Sequence, residues 1–148
     1  MKPFVEVHET RPDNFSPTVE VAACRLEVAG KFLLLEAAPR KKEAKTWGLP
    51  AGKMESGETP VAALVREIFE ETAILIDLSE LRYIAPFYIR KPDFDFVFHL
   101  FHVKRAERPL ISLSEENTNY CWVDSSEIEE LPLLSGAREI HQLCQKLL

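Results

Sequence analysis

A chain of 148 residues has room for one domain around one core, and 46% hydrophobic with 28% charged residues excludes wholesale disorder. A formal net charge of −6 argues against a general grip on a nucleic-acid polymer, while a small phosphorylated ligand needs only local positive charge or a bound cation. No apolar run nears the roughly 20 residues of a membrane helix. "MKPFVEVHETRPDNF" holds no stretch of signal-peptide length, so no membrane partner and a cytoplasmic location are expected.

In chain order, "TVEVAACRLEV" (Thr18–Val28) and "KFLLLEAA" (Lys31–Ala38) read as two strands around a turn at Gly30. "PRKKEAKTWGLPAG" (Pro39–Gly52) reads as a loop, with Arg40, Lys41, Lys42, Lys45 and the following Lys53 as a local basic cluster. Thr59-Pro60 starts a helix: Thr59 can cap, and Pro60 suits the first helical position because its missing N–H would have no partner there. Val61, Leu64, Val65 and Ile68 then form one apolar stripe facing a core. "RYIAPFYIR" (Arg82–Arg90), "FDFVFHLFHV" (Phe94–Val103) and "NYCWV" (Asn119–Val123) read as further strands. "SGAREIHQLCQKLL" (Ser135–Leu148) reads as an amphipathic helix capped by Ser135, with Ile140, Leu143, Cys144 and Leu147 on its apolar face. Mixed in this order, the elements predict a helix–sheet–helix sandwich with a mixed sheet, one domain over residues 1–148.

Cys24, Cys121 and Cys144 are few, odd in number and without CxxC spacing, which fits reduced structural thiols. His99 and His102 pair with no other His or Cys at a metal-like spacing, so they are read as structural. Phe87, Tyr88, Phe94, Phe96 and Trp122 are candidates for stacking on a base, though a strand-borne aromatic is more often core.

The dense chemistry lies in "GKMESGETPVAALVREIFEETAI", Gly52 to Ile74. Like charges three or four residues apart cost an isolated helix roughly 0.2–0.5 kcal/mol per pair, yet Glu67, Glu70 and Glu71 crowd adjacent turns. Clustered carboxylates suit a hard divalent cation such as Mg²⁺, which keeps waters and shares phosphate oxygens with its substrate. Glu58 can approach from the loop, Gly52 and Gly57 let that loop bend back, and Arg66 can brace Glu70 from four residues before it.

The stretch resembles the Nudix box, G-x5-E-x7-R-E-U-x-E-E-x-G-U, through Gly52, Glu58, Arg66, Glu67, Ile68, Glu70, Glu71 and Ile74, with Ala73 in place of the last Gly. At average residue frequencies the polar and glycine matches are a chance event on the order of one in ten million per start position. The flanking "WGLPAG" and the element order resemble the family as well. The resemblance implies the Nudix fold, an α/β/α sandwich with a mixed sheet. It implies a hydrolase that cleaves the phosphoanhydride of a nucleoside diphosphate linked to another moiety, with Mg²⁺ or Mn²⁺. A nucleoside or deoxynucleoside triphosphate is the leading substrate. The alternatives are ADP-ribose, another nucleotide-sugar, a dinucleoside polyphosphate, or a silent nucleotide-binding module. The silent reading normally goes with lost box carboxylates, and none is lost here.

By position in the box, Glu67, Glu70 and Glu71 resemble the metal ligands, with the Ala51 carbonyl as a further one. Arg66 resembles the bracing residue and Glu58 the supporting loop carboxylate. The general base is Glu67 or a later loop glutamate, Glu115 or Glu116 in "SLSEENTNYCW". Many members carry an Arg near the end of the strand before the basic loop; here Glu36 and Ala37 stand there, so Arg40, Lys41, Lys42 or Lys53 is expected to meet phosphate. If the position of Ala73 needs positive φ, Ala costs about 1 kcal/mol or more there.

Overall fold

The computed structural model describes residues 5–148. The first four residues, with that part of the N-terminal stretch and of the expected domain, lie outside the described residues. Among the described residues eight strands form one sheet: β1 (Glu6–His8), β2 (Pro17–Val28), β3 (Lys31–Ala37), β4 (Trp47–Gly48), β5 (Ala51–Lys53), β6 (Arg82–Arg90), β7 (Asp95–Arg105) and β8 (Asn117–Val123). The helices are α1 (Pro60–Thr72), the one-turn α2 (Ser125–Ile128) and α3 (Ala137–Leu147).

The strand order is β1-β6-β7-β2-β3-β4, with β5 also pairing β2 and β8 pairing β3. β2 and β7 run parallel and the other pairs antiparallel, so the sheet is mixed, as expected. Successive strand residues face opposite sides. Ala22, Cys24 and Leu26 therefore pack with Ala63, Leu64 and Ile68 of α1. Ala23, between them, packs on the other face with Ile140 and Cys144 of α3. A strand covered on both faces has no polar side, which is why "VAACRL" is nearly continuous in apolar residues. The result is the α/β/α layering expected. β2 and β3 meet at a turn where Ala29 and Gly30 both have positive φ, 51° and 78°. That is the backbone pattern of a tight hairpin turn.

Several expectations are corrected. The loop over residues 39–52 contains β4, and β5 begins at Ala51 because the edge of β2 receives it, Ala23 opposite Ala51 and Val21 opposite Lys53. A long-range partner supplies those hydrogen bonds, and local sequence does not announce it. Of the expected stripe, Leu64 and Ile68 are buried and Val65 packs beside them, with Ala63 and Thr72 completing the inward face, but Val61 in the first turn is 37% exposed. Ser135 does not cap α3. Gly136 occupies that position with no side-chain cap, and the Ser135 N–H and hydroxyl instead donate to Glu43, at 2.9 and 2.8 Å. Leu147 lies past the core at the end of α3 and is 45% exposed.

Candidate active site

The site begins where β5 leaves the sheet. Gly57, at φ 83°, turns the chain, and Thr59 starts α1 by accepting the Ala62 N–H at 3.1 Å, with Pro60 as the first helical residue. The helix ends at Ala73 in the left-handed region, φ 63° and ψ 16°, so the final box position does require positive φ. Between these ends, α1 presents its carboxylates toward β5.

The repulsion between them is met by Arg66. Its Nε and Nη2 donate to the two oxygens of Glu58, both at 2.8 Å. Its Nη1 donates to Glu67 at 2.8 Å and to Glu70 at 3.2 Å, and Nη2 also reaches the Lys53 carbonyl at 3.1 Å. One guanidinium thus ties the loop, two helix carboxylates and the end of β5 together. A planar fork of donors does this where a lysine cannot. Hydrogen bonds from Arg66, and one from the Glu55 N–H, hold the Glu58 carboxyl down to about 2.

Glu67 lies against Gly52: a β-carbon there would stand 2.0 Å from Glu67 Cδ. Gly52 is required for close approach, not for positive φ, whereas the turn falls to Gly57. Glu71 accepts the Ala51 N–H at 3.0 Å. Burial and then the Glu67 charge push the Glu71 carboxyl up to about 8. Burial also raises Glu67, against the pull of Arg66.

These groups open on a cleft of about 1190 Å³. Glu67, Glu70, Glu71 and Glu116 line it, as do Ala51, Lys41, Lys42, Lys53 and Lys91. Of the expected phosphate contacts, Lys41, Lys42 and Lys53 reach the cleft. Arg40 does not line it, and sits instead 3.7 Å from Glu116, whose other oxygen Lys41 holds. Hydrogen bonding from Lys41 keeps Glu116 below the ordinary carboxylate range. Glu115 does not line the cleft. Ala37 lines it, while Glu36 turns to the Thr118 hydroxyl at 3.1 Å. Lys91 was missed from sequence; the only signal was a basic residue before a Pro-Asp turn at the end of a strand.

The other candidates lie elsewhere. His99 bridges Tyr83 and Glu20, and His102 meets Glu27. Phe87 is fully buried, Tyr88 packs edge-on to Phe15, and Trp122 lies under Arg108. Phe94 is the exception: it lines the cleft, stacked on Phe96 at 5.6 Å.

As the side chains stand, no three carboxylates, histidines or cysteines among the described residues close around a common point. Arg66 holds Glu67 and Glu70, and the Ala51 N–H holds Glu71. The donor set nonetheless fits a hard divalent cation. Three carboxylates share one wall, and Glu71, half-buried beside Glu67, needs either a proton or a positive ion close by.

The chain matches the NUDIX domain over residues 16–144. The chain belongs to the Nudix hydrolase family. The Nudix hydrolase YvcI of Bacillus subtilis is 32% identical over 129 residues, which is 85% of this chain and 78% of that protein. The MutT protein from Methanosarcina mazei superposes with a TM-score of 0.75 at 22% identity, covering 88% of this chain and 94% of its own. A Francisella tularensis bifunctional NMN adenylyltransferase/ADP ribose pyrophosphatase, complexed with AMP and a manganese ion, superposes with a TM-score of 0.74 at 21% identity, over 90% of this chain and 42% of its own. This Nudix hydrolase keeps every box carboxylate and departs from the motif only at Ala73.

Proposed function

We propose that this Nudix hydrolase cleaves the phosphoanhydride of a nucleoside or deoxynucleoside triphosphate in a reaction that needs Mg²⁺ or Mn²⁺. The observation that carries the reading is one cleft with Glu67, Glu70 and Glu71 on one wall and Lys41, Lys42, Lys53 and Lys91 around them. That charge arrangement matches a polyphosphate held between a cation and ammonium groups. The Francisella protein was solved with AMP and a manganese ion, in keeping with a nucleotide and a divalent cation.

Glu67, Glu70, Glu71 and the Ala51 carbonyl would hold the ion. A bound divalent ion supplies charge neutralisation on phosphate oxygens and acidifies water. Arg66 keeps two of the carboxylates in place, and Lys42 and Lys53 meet the phosphates. Glu67 serves as ligand and base. Its Oε1 is held by Arg66, while Oε2 is left to take a proton. Glu116 is the second choice, since it must leave Lys41 and Arg40 before it can accept one. A reducing, cytoplasmic setting agrees with the three free cysteines.

The test is release of phosphate or pyrophosphate from nucleoside triphosphates, ADP-ribose and diadenosine polyphosphates, with and without Mg²⁺, followed by product identification. Metal-dependent turnover fastest on a triphosphate is expected. Turnover indifferent to metal, or none on any member of the panel, would sink the proposal.

A further inference from the structure

Two of the lysines that line the carboxylate cleft are already paired. Lys91 Nζ lies 3.6 Å from Glu43, and Lys41 Nζ donates to Glu116. Both carboxylates line the cleft as well. A polyphosphate that enters it therefore meets two carboxylates already seated on the cations it needs.

The two pairs differ in what else holds the carboxylate. Glu43 accepts the Ser135 N–H at 2.9 Å and the Ser135 hydroxyl at 2.8 Å, so it stays in place with or without Lys91. The Glu116 carboxylate accepts no backbone or hydroxyl hydrogen bond among the described residues. Lys41 holds one of its oxygens, and Arg40 stands 3.7 Å from the other. Water screens a pair this exposed, and two long side chains must be ordered to make it, so the hold is weak. A phosphate group with up to two negative charges draws the same ammonium more strongly than a carboxylate with one.

The backbone keeps the rivals together. The Ala38 N–H donates to the Glu116 carbonyl at 3.1 Å, and the Ala38 carbonyl accepts the Lys41 N–H at 3.0 Å. On its other side, the segment bearing Glu116 is tied to α1, where the Ser114 N–H donates to the Glu71 carbonyl at 3.2 Å. With both backbones anchored, an exchange of partners needs only side-chain rotation. Lys41 turns to the phosphate, and Glu116 swings to Arg40, which does not line the cleft.

We propose that Glu116 competes with phosphate for Lys41, so that it weakens the hold of the cleft on the phosphate product and returns to Lys41 as that product leaves. The inference rests on the reading of the cleft as a nucleotide hydrolase site. It gives Glu116 a role that does not require it to take a proton.

The experiment is calorimetric binding of inorganic pyrophosphate to the full chain, without divalent metal, at about 0.15 M salt. Glu116→Gln should bind it about three- to fivefold tighter than wild type, and Lys41→Met more weakly. The double variant decides. In the Lys41→Met background the change at Glu116 should gain less than about twofold, because no ammonium is left to free. Both side chains are partly exposed, and matched melting temperatures check that all four proteins are folded. An equal gain in both backgrounds would overturn the inference, since Glu116 would then act only through its field at a distance. So would no gain at Glu116→Gln, or no binding by any of the four at millimolar concentration. The measurement needs no turnover. Coupled positions in a protein that hydrolyses no nucleotide would sink the hydrolase reading alone, and uncoupled positions beside metal-dependent hydrolysis would sink this inference alone.

Discussion

Glu67 occupies the space that a side chain on Gly52 would need: a β-carbon there would stand 2.0 Å from Cδ and 2.1 Å from Oε2. The group in the way is the end of a flexible side chain, not backbone. Gly52→Ala should therefore displace Glu67 at little cost to the fold. We expect a melting temperature within a few degrees of wild type and a loss of metal-dependent turnover of about a hundredfold. Full activity with Ala at position 52 would show that the Glu67 position is not used.

Arg66 is the only cation within ion-pair distance of Glu58, Glu67 and Glu70 among the described residues. Arg66→Ala removes charge-assisted hydrogen bonds from partly buried carboxylates, and metal-free stability should fall by about 1–3 kcal/mol. The freed carboxylates should then gain more from a divalent ion, so the Mg²⁺-induced rise in melting temperature should grow. A variant that loses no stability without metal would refute the bracing role.

Glu70→Gln and Glu71→Gln each remove a formal charge from a crowded wall. Metal-free stability should stay level or rise slightly, while most activity is lost. In the wild type, metal at a hundredfold excess over Kd adds about 2.7 kcal/mol of stability, and the triple change of Glu67, Glu70 and Glu71 to Ala should erase it. A melting temperature blind to Mg²⁺ and Mn²⁺ in the wild type would show that the ion binds elsewhere or not at all.

Ala73 holds φ 63° on an exposed helix end. A left-handed conformation costs an L-residue roughly 1–2 kcal/mol, and glycine returns about 0.4–1 kcal/mol of that through a more flexible unfolded chain. Ala73→Gly should stabilise by about 0.5–1 kcal/mol, read from chemical denaturation, with kcat unchanged.

Burial, and then the Arg25 charge, hold His141 below its ordinary 6.5. The unfolded chain takes that proton more readily than the folded one, so stability is full above about pH 6.5 and falls as the pH drops toward the folded value. His141→Gln should flatten the part of the acid-side decline that begins near that pH. An unchanged profile would place the decline on other groups.

The box was legible because its chemistry is local. The Thr59 cap, the Gly57 turn and the reach of Arg66 to Glu70 all follow from spacing along one helix and the loop before it. Other features depend on what lies across the fold. Arg25 and His141 are 116 positions apart, and nothing in "VAACRLEV" or "EIHQLC" marks either as a partner of the other. Lys91 counts only because β6 ends at the cleft, and Arg40 drops out because Glu116 holds it to one side. Ser135 followed the rule for a helix cap, yet Glu43 offered its hydroxyl and N–H a better acceptor.

The parallel pairing of β2 with β7 joins Pro17 to Asp95 and Val28 to Arg105. A strand in the middle of the sheet therefore waits for a partner made far later in the chain. During synthesis α1 can form as soon as it emerges, but its apolar face meets a sheet lacking β7 and so lacking Phe101 and Val103. Closing so long a loop before its contacts reward it is slow. The nascent protein would carry its acidic helix on an unfinished floor, with apolar strand edges open, until residue 105 is free. Premature termination inside β7 should then yield an aggregating fragment, although Glu67, Glu70 and Glu71 have already been made.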